Sequence, residues 1–338
     1  MIVQEQVSLQ AYNTFGIPAT ARYFSTFESI EDLGNILSDS RWKNMPLLIL
    51  GGGSNILLTK DFNGLVLKNN IKGIEKTGTA GDHVYMKSGA GENWHGFVQH
   101  CIQENLAGLE NLSLIPGNVG ASPMQNIGAY GVEIKDTFHS LTAFHIEERK
   151  IMTFNNADCK FGYRESVFKR ELKNEFVIVD VTYQLNKTPH FNTSYGAIEQ
   201  ELTQMGVKDL SIQAISQAVI NIRSSKLPNP AEIGNAGSFF KNPEIPATQY
   251  ETLKAKFPNI VAYPLPSGHV KLAAGWLIEQ CGWKGFREGD AGVHAKQALV
   301  LVNYGRATGS EIYDLSSKVL ASVQEKFGVA LEREVNII

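Results

Sequence analysis

Residues Gly51–Asn70 read GGGSNILLTKDFNGLVLKNN, and the way this stretch is read decides the fold. It follows Pro46–Leu50, PLLIL, a short apolar run that predicts a buried strand. Three glycines after a strand raise the question of phosphate binding. In a dinucleotide-binding Rossmann unit the glycine loop has the spacing G-x-G-x-x-G and opens a helix whose N-terminus faces the pyrophosphate. Here the glycines are consecutive, and apolar runs broken at Asn63-Gly64 follow, which is a hairpin signal. The Rossmann reading is therefore rejected. Two readings of Gly51–Asn55 stay open: N–H groups forming an anion nest, or a plain glycine turn between strands.

The chain has 338 residues, enough for two or three domains. A net charge of −3 gives no strongly basic face, so nucleic acid is not expected as a partner. The strongest apolar runs, Pro46–Leu50 and Ala298–Val302, fall far short of the roughly 20 residues that span a bilayer. No membrane association and no signal peptide are expected. Cys101, Cys159 and Cys281 are too far apart to suggest a disulfide framework or a zinc site, which fits a reducing, cytoplasmic setting. The eight histidines are scattered without HExxH, so no metal is expected, and no G-x-S-x-G elbow occurs.

Periodicity predicts helices over Glu28–Ser40, Gly91–Leu106, Ser211–Ser225, Thr248–Phe257 and Leu272–Cys281. Gly309–Phe327 reads as a longer one, with a Thr308/Glu311 capping box and Gly328 at its end. Strands are expected at Leu141–Ile146, Phe176–Tyr183 and Ala298–Asn303, and the tail VALEREVNII alternates like a strand. A proline- and glycine-rich break, KLPNPAEIGNAG, spans Lys226–Gly237 and marks a linker or a domain entry.

Ile115–Glu133, IPGNVGASPMQNIGAYGVE, has four glycines and no charge before Glu133. Glycines let a backbone approach a ligand closely. Gln125 and Asn126 add amide donors and acceptors, and a packed turn explains these less well than it explains the glycines. FGYRESVFK sets Arg164 between aromatic residues, either as a surface arginine or as a fork for a carboxylate. GNAGSFFKNP places Ser238 in an apolar loop, either as a turn former or as a hydroxyl aimed into a dry site. Glu334 stands out only by its strand-like flanks. Lys226, Lys241, Lys271 and Lys284 are surface lysines or, near a glycine-rich entry, diphosphate ligands.

In chain order, NTFG (Asn13–Gly16), LGGGSN, IPGNVGASPMQNIGAYG, FGYRESVFK, RSSKLPNP (Arg223–Pro230), GNAGSFFKNP, VKLAAGWLIEQ (Val270–Gln280) and LEREV (Leu331–Val335) resemble the UDP-N-acetylenolpyruvoylglucosamine reductase family, in its tyrosine-loop (type I) branch. The resemblance covers nearly the whole chain. It implies an α+β protein with a vanillyl-alcohol-oxidase (PCMH)-like FAD-binding fold. Two FAD subdomains, 1–70 and 71–225, would be followed by an α+β substrate domain, 226–338, whose last strand returns to the FAD site. The implied activity is NADPH-dependent, FAD-mediated reduction of UDP-N-acetylglucosamine enolpyruvate to UDP-N-acetylmuramate by a cytoplasmic monomer.

The resemblance also assigns roles. Arg164, Ser238 and Glu334 would be catalytic, with Ser238 the proton donor to C2. Gly51, Gly52, Gly53, Ser54, Asn55, Pro116, Gly117, Gly120, Gln125, Asn126, Gly128 and Tyr130 would hold FAD. Tyr163, Tyr195, Lys226, Asn242, Tyr263 and Lys271 would hold the substrate. Asn336 stands where members often carry arginine, so a cationic contact there is either lost or supplied by Arg333. With no histidine in either glycine-rich stretch, non-covalent FAD is expected. Two rivals are a flavin-dependent sugar or aldehyde oxidase of the same fold and a nucleotide-binding scaffold without turnover.

Overall fold

A computed structural model of the chain describes residues 2–338. The backbone forms two compact units, each discontinuous in sequence. The first holds the segment ending at Val7, Ala21–Gly52 and Asn63–Ser225; the second holds Ser8–Thr20, Gly53–Phe62 and Lys226–Ile338. The expected boundary at 225/226 is where the units part, whereas the division at 70 has no counterpart. The two expected FAD subdomains share one unit, and two short N-terminal segments belong with the C-terminal third.

The first unit carries two sheets. One runs Gln4–Ser8, Thr20–Phe27, Phe62–Asn69, Leu47–Leu50 in spatial order. The other runs Ile151–Asn155, Phe138–His145, Phe176–Asn186, His83–Gly89, Ile74–Ala80, with every neighbour antiparallel. The helix Ile30–Leu37 starts at Ser29, whose hydroxyl accepts the Asp32 N–H at 3.0 Å, and it buries Leu33 and Ile36. The helix Trp94–Gln103 buries Trp94, Phe97, Val98, Cys101 and Ile102, the stripe its spacing requires. That stripe packs on Val181, Tyr183 and Leu185 of the five-stranded sheet. Each such side chain contributes about 1.5–3 kcal/mol of burial free energy. The polar tips are satisfied: Trp94 Nε1 donates to Leu112 O at 2.9 Å, and Tyr183 Oη lies 2.6 Å from Ser122 Oγ.

In the second unit, an antiparallel sheet runs Gly234–Ser238, Val300–Asn303, Ala291–Val293, Arg287–Glu288. A three-stranded sheet runs Glu244–Pro246, His269–Leu272, Ala262–Pro264. The helix Gly309–Phe327 has the capping box expected at Thr308 and Glu311, and Gly328 ends it in the left-handed conformation. NTFG is scaffold here. Asn13 is buried and its amide makes three hydrogen bonds, to the carbonyls of Leu9 and Ile17 and from the Ile17 N–H.

Two expectations about strands are corrected. There is no hairpin at Asn63-Gly64: Phe62–Asn69 is one strand, parallel to Leu47–Leu50, while Ile56–Leu57 pairs in parallel with Asn336–Ile337. Gly64 is not among the glycines with positive φ, so the tight turn that an Asn-Gly hairpin needs does not form. The tail forms a ladder only at Asn336–Ile337; upstream it is tacked on by single contacts. Its alternation holds for Val329, Leu331 and Val335, which are buried, but not for Ile337, which was expected on the same face and is exposed.

Candidate active site

In the first unit, Tyr163 and Arg164 are the central residues of a tight turn closed by Gly162 N–H to Glu165 O at 3.0 Å and the return bond at 3.3 Å. Arg164 adopts φ 56°, a left-handed conformation that a side chain with a Cβ reaches at about 1–2 kcal/mol. Strain of this kind persists only where surrounding contacts over-determine it. Four contacts do so. Asn126 Nδ2 donates to Gly162 O at 3.0 Å, and Ser166 Oγ to Met124 O at 2.7 Å. Arg164 Nη2 donates to Gly128 O at 2.8 Å, and Lys169 Nζ to Gln125 Oε1 at 3.4 Å. Gln125, Asn126, Gly128, Tyr163 and Arg164 are thus stitched into one constellation. Asn126 has both amide protons committed, to Gly162 O and Glu133 Oε2, and its oxygen accepts the Lys135 N–H.

The glycines of Ile115–Gly131 lie against the protein's own chain. A Cβ on Gly120 would meet the Ala90 Cβ at 2.5 Å, and one on Gly128 would meet Glu133 Cγ at 2.8 Å and Arg164 Nη1 at 3.3 Å. A Cβ on Gly52 would meet Gly117 Cα at 2.8 Å, so the two glycine-rich stretches touch back to back. Lys68 Nζ donates to Gly51 O at 2.6 Å. Burial, and then the neighbouring Lys72, lower the Lys68 ammonium below its ordinary pKa. This is the cation that the glycine-rich stretch itself lacks. Lys68 was not legible in the sequence, because only the parallel register of Leu50 with Lys68 brings it to the turn. Main chain, uncharged side chains and a half-buried cation are thus brought together at this turn, the donor chemistry that a pyrophosphate takes.

The second unit positions Ser238 and Glu334. The strand Gly234–Ser238 is irregular between Asn235 and Ser238. Asn235 Oδ1 accepts the Gly237 N–H at 3.0 Å, and Gly237 takes φ 70°. Such a bulge re-aims the next side chain. Ser238 is exposed while Phe239 and Phe240 are 0% and 1% exposed. Glu334 N–H donates to Phe239 O at 2.8 Å, and Asn55 Nδ2 to Glu334 O at 3.4 Å, so Ser238, Glu334 and Asn55 are neighbours. Asn55 O in turn accepts both the backbone N–H and Nδ2 of Asn336, at 3.1 and 3.0 Å. Asn336 therefore anchors the glycine turn to the tail. Arg333 does not stand in for the absent arginine: its guanidinium donates to Ser316 and Ser317 and stacks on Tyr313.

Three expected substrate residues are also organised in this unit. Tyr263 faces Lys271 across one strand pair and Lys271 faces Glu244 across the next, where Nζ and carboxylate lie 3.2 Å apart. Asn242 Oδ1 accepts the Ala274 N–H at 2.9 Å and so fixes the helix Ala274–Gln280. Lys226 is exposed at the end of the helix Ile212–Lys226. In the first unit Tyr195 is exposed at the start of the helix Gly196–Gln204. Sequence reasoning gave no role to Asn111, a single residue without a glycine- or motif-like context, or to Arg223, although Arg223 opens the motif RSSKLPNP; both lie behind Tyr130 and Tyr195. Among the described residues no cluster of metal-ligating side chains occurs and no helix is long and apolar enough to cross a membrane.

The fold is that of a flavoprotein of the α+β FAD-binding class. Residues 21–148 match the model of an FAD binding domain, and residues 229–338 match that of the UDP-N-acetylenolpyruvoylglucosamine reductase C-terminal domain. The chain is 54% identical to the UDP-N-acetylenolpyruvoylglucosamine reductase of Amoebophilus asiaticus (strain 5a2), with 100% of both chains covered. It is 53% identical to that of Flavobacterium johnsoniae (strain UW101), again over 100% of each. The crystal structure of the Thermus caldophilus enzyme superposes with a TM-score of 0.70 at 24% identity, covering 99% of each chain, and shows the same fold. The chain belongs to the UDP-N-acetylenolpyruvoylglucosamine reductase family.

Proposed function

We propose that this chain reduces UDP-N-acetylglucosamine enolpyruvate to UDP-N-acetylmuramate with NADPH, as a cytoplasmic monomer holding FAD non-covalently. The adjacency of Ser238 and Glu334 carries the reading: a hydroxyl exposed on a bulge, one residue before Phe239, whose carbonyl accepts the Glu334 backbone N–H. Three free cysteines agree with a reducing compartment.

FAD, when bound, supplies the hydride that adds to the methylene carbon C3 of the enolpyruvyl group. Gly51–Asn55 and the Pro116–Tyr130 segment would hold the dinucleotide largely through main chain, with Lys68 offsetting pyrophosphate charge. Negative charge then develops on C2 and the attached carboxylate of the substrate. Arg164 meets that charge with a guanidinium whose turn is already fixed, so little reorganisation accompanies the reaction. Glu334 orients the same group, and Ser238 delivers the proton to C2. A serine hydroxyl is a weak acid, but an enolate carbon is a strong enough base to take its proton. Tyr163, Tyr195, Lys226, Asn242, Tyr263 and Lys271 would bind the sugar nucleotide.

Anaerobic stopped-flow spectroscopy tests the proposal. NADPH should bleach the yellow protein, and the enolpyruvyl sugar nucleotide should restore the colour with lactyl ether as product. Rapid recolouring by oxygen with no response to the sugar nucleotide would favour the oxidase of the same fold.

A further inference from the structure

The segment leading into Tyr195 is tied down by residues that no expected role accounts for. Asn111 is buried, and its amide donates to two carbonyls at once, Tyr130 O at 3.1 Å and Asn192 O at 2.9 Å. Asn192 Nδ2 donates to Gly131 O at 3.1 Å, while its oxygen accepts from the N–H and hydroxyl of Ser194 at 3.3 and 2.8 Å. A Cβ on Gly131 would meet Asn192 Nδ2 at 3.3 Å, so the glycine there makes room for this clip. The Tyr195 ring stands edge-on to the Tyr130 ring, with centroids 5.3 Å apart. Tyr130 is itself held in the left-handed region, at φ 50°. The Arg223 guanidinium is the charged neighbour of its hydroxyl, and Arg223 Nε donates to Leu114 O at 3.2 Å.

We propose that Asn192 and Arg223, with Asn111 between them, are positioning residues that set where Tyr195 waits for the sugar nucleotide. Asn192 pins the segment to Gly131, and Arg223 fixes the ring on which Tyr195 rests. The glycine-rich stretch and the substrate tyrosine are thereby coupled through Tyr130. The inference rests on the reading of Tyr195 as a substrate residue.

The test is a double-mutant cycle on the FAD-loaded protein. Asn192→Ala and Arg223→Gln are each made alone and together with Tyr195→Ala, and Asn192 is half-exposed, so that variant folds even if Arg223→Gln does not. Each single variant should raise KM for the enolpyruvyl sugar nucleotide about five- to tenfold, the loss of one or two hydrogen bonds. The kcat and the rate of flavin reduction by NADPH should stay within about twofold, which a general loss of structure would not permit. In the Tyr195→Ala background neither substitution should raise KM further. Unchanged KM in both single variants, or full additivity with Tyr195→Ala, overturns the positioning role alone. If Tyr195→Ala itself leaves KM unchanged, the reading of Tyr195 fails and the positioning role falls with it.

Discussion

Arg164 and Ser238 are both placed by a local break in regular structure, but the strain falls on different residues. At Ser238 a bulge turns the strand, and the left-handed conformation is taken by Gly237, at φ 70°, which has nothing within 4 Å of a built Cβ. Ser238 itself is unstrained and its neighbour is the residue type that adopts this conformation readily. At Arg164 the arginine itself sits at φ 56°. Nothing in the turn favours that locally, so Asn126, Ser166, Lys169 and Gly128 hold it from outside. One site is built from backbone preference and the other from side-chain contacts imposed on an unfavourable backbone.

This contrast can be broken or sharpened by substitution. Ser238→Ala should lower oxidation of reduced flavin by the enolpyruvyl sugar nucleotide about a thousandfold, the usual size of a lost proton donor. Reduction of the flavin by NADPH should hardly change in the same stopped-flow experiment. A variant with wild-type turnover would remove Ser238 from the chemistry.

Arg164→Gly should cut turnover about a hundredfold, since a preorganised charge is lost. Its melting temperature should nevertheless stay within a few degrees of wild type. Relief of about 1 kcal/mol of left-handed strain offsets a lost hydrogen bond to Gly128 of about 1 kcal/mol. A large fall in stability would show that the arginine is there to hold the turn rather than the substrate.

Lys68→Met should weaken FAD binding about tenfold, equivalent to about 1.4 kcal/mol. Fluorescence titration of the apoprotein reads this directly. An unchanged Kd would mean that Lys68 serves only the carbonyl of Gly51. The smallest effect belongs to Gly237→Ala, which should lower the melting temperature by roughly 2–5 °C, from backbone strain alone. A drop much beyond that would mean the bulge has contacts that the open space around Gly237 does not suggest.

Much of this molecule was legible in its residues. The stripe of Trp94–Ile102 and the capping box at Thr308 specified their helices locally. The rejection of a Rossmann loop needed only the absence of a helix after Gly51–Asn55, and that absence is real. The hairpin at Asn63-Gly64 was misread because turn propensity is weak against parallel pairing with Leu47–Leu50, which lies outside any local window. The glycines of Ile115–Gly131 suggested a close neighbour, and the structure supplies one in the protein's own main chain at Gly52, Ala90 and Val132.

The sequence by itself determined most of the helices, though not Gly196–Gln204, together with the glycine-rich segments and the family, because capping, periodicity and motif order are short-range properties of the chain. Only the tertiary structure decided that Lys68 reaches Gly51, that Asn336 anchors Asn55, and that Asn111 joins Tyr130 to Asn192. Each of these is a hydrogen bond between segments 17, 281, 19 or 81 residues apart. Such bonds follow from strand register and packing, which no local pattern encodes.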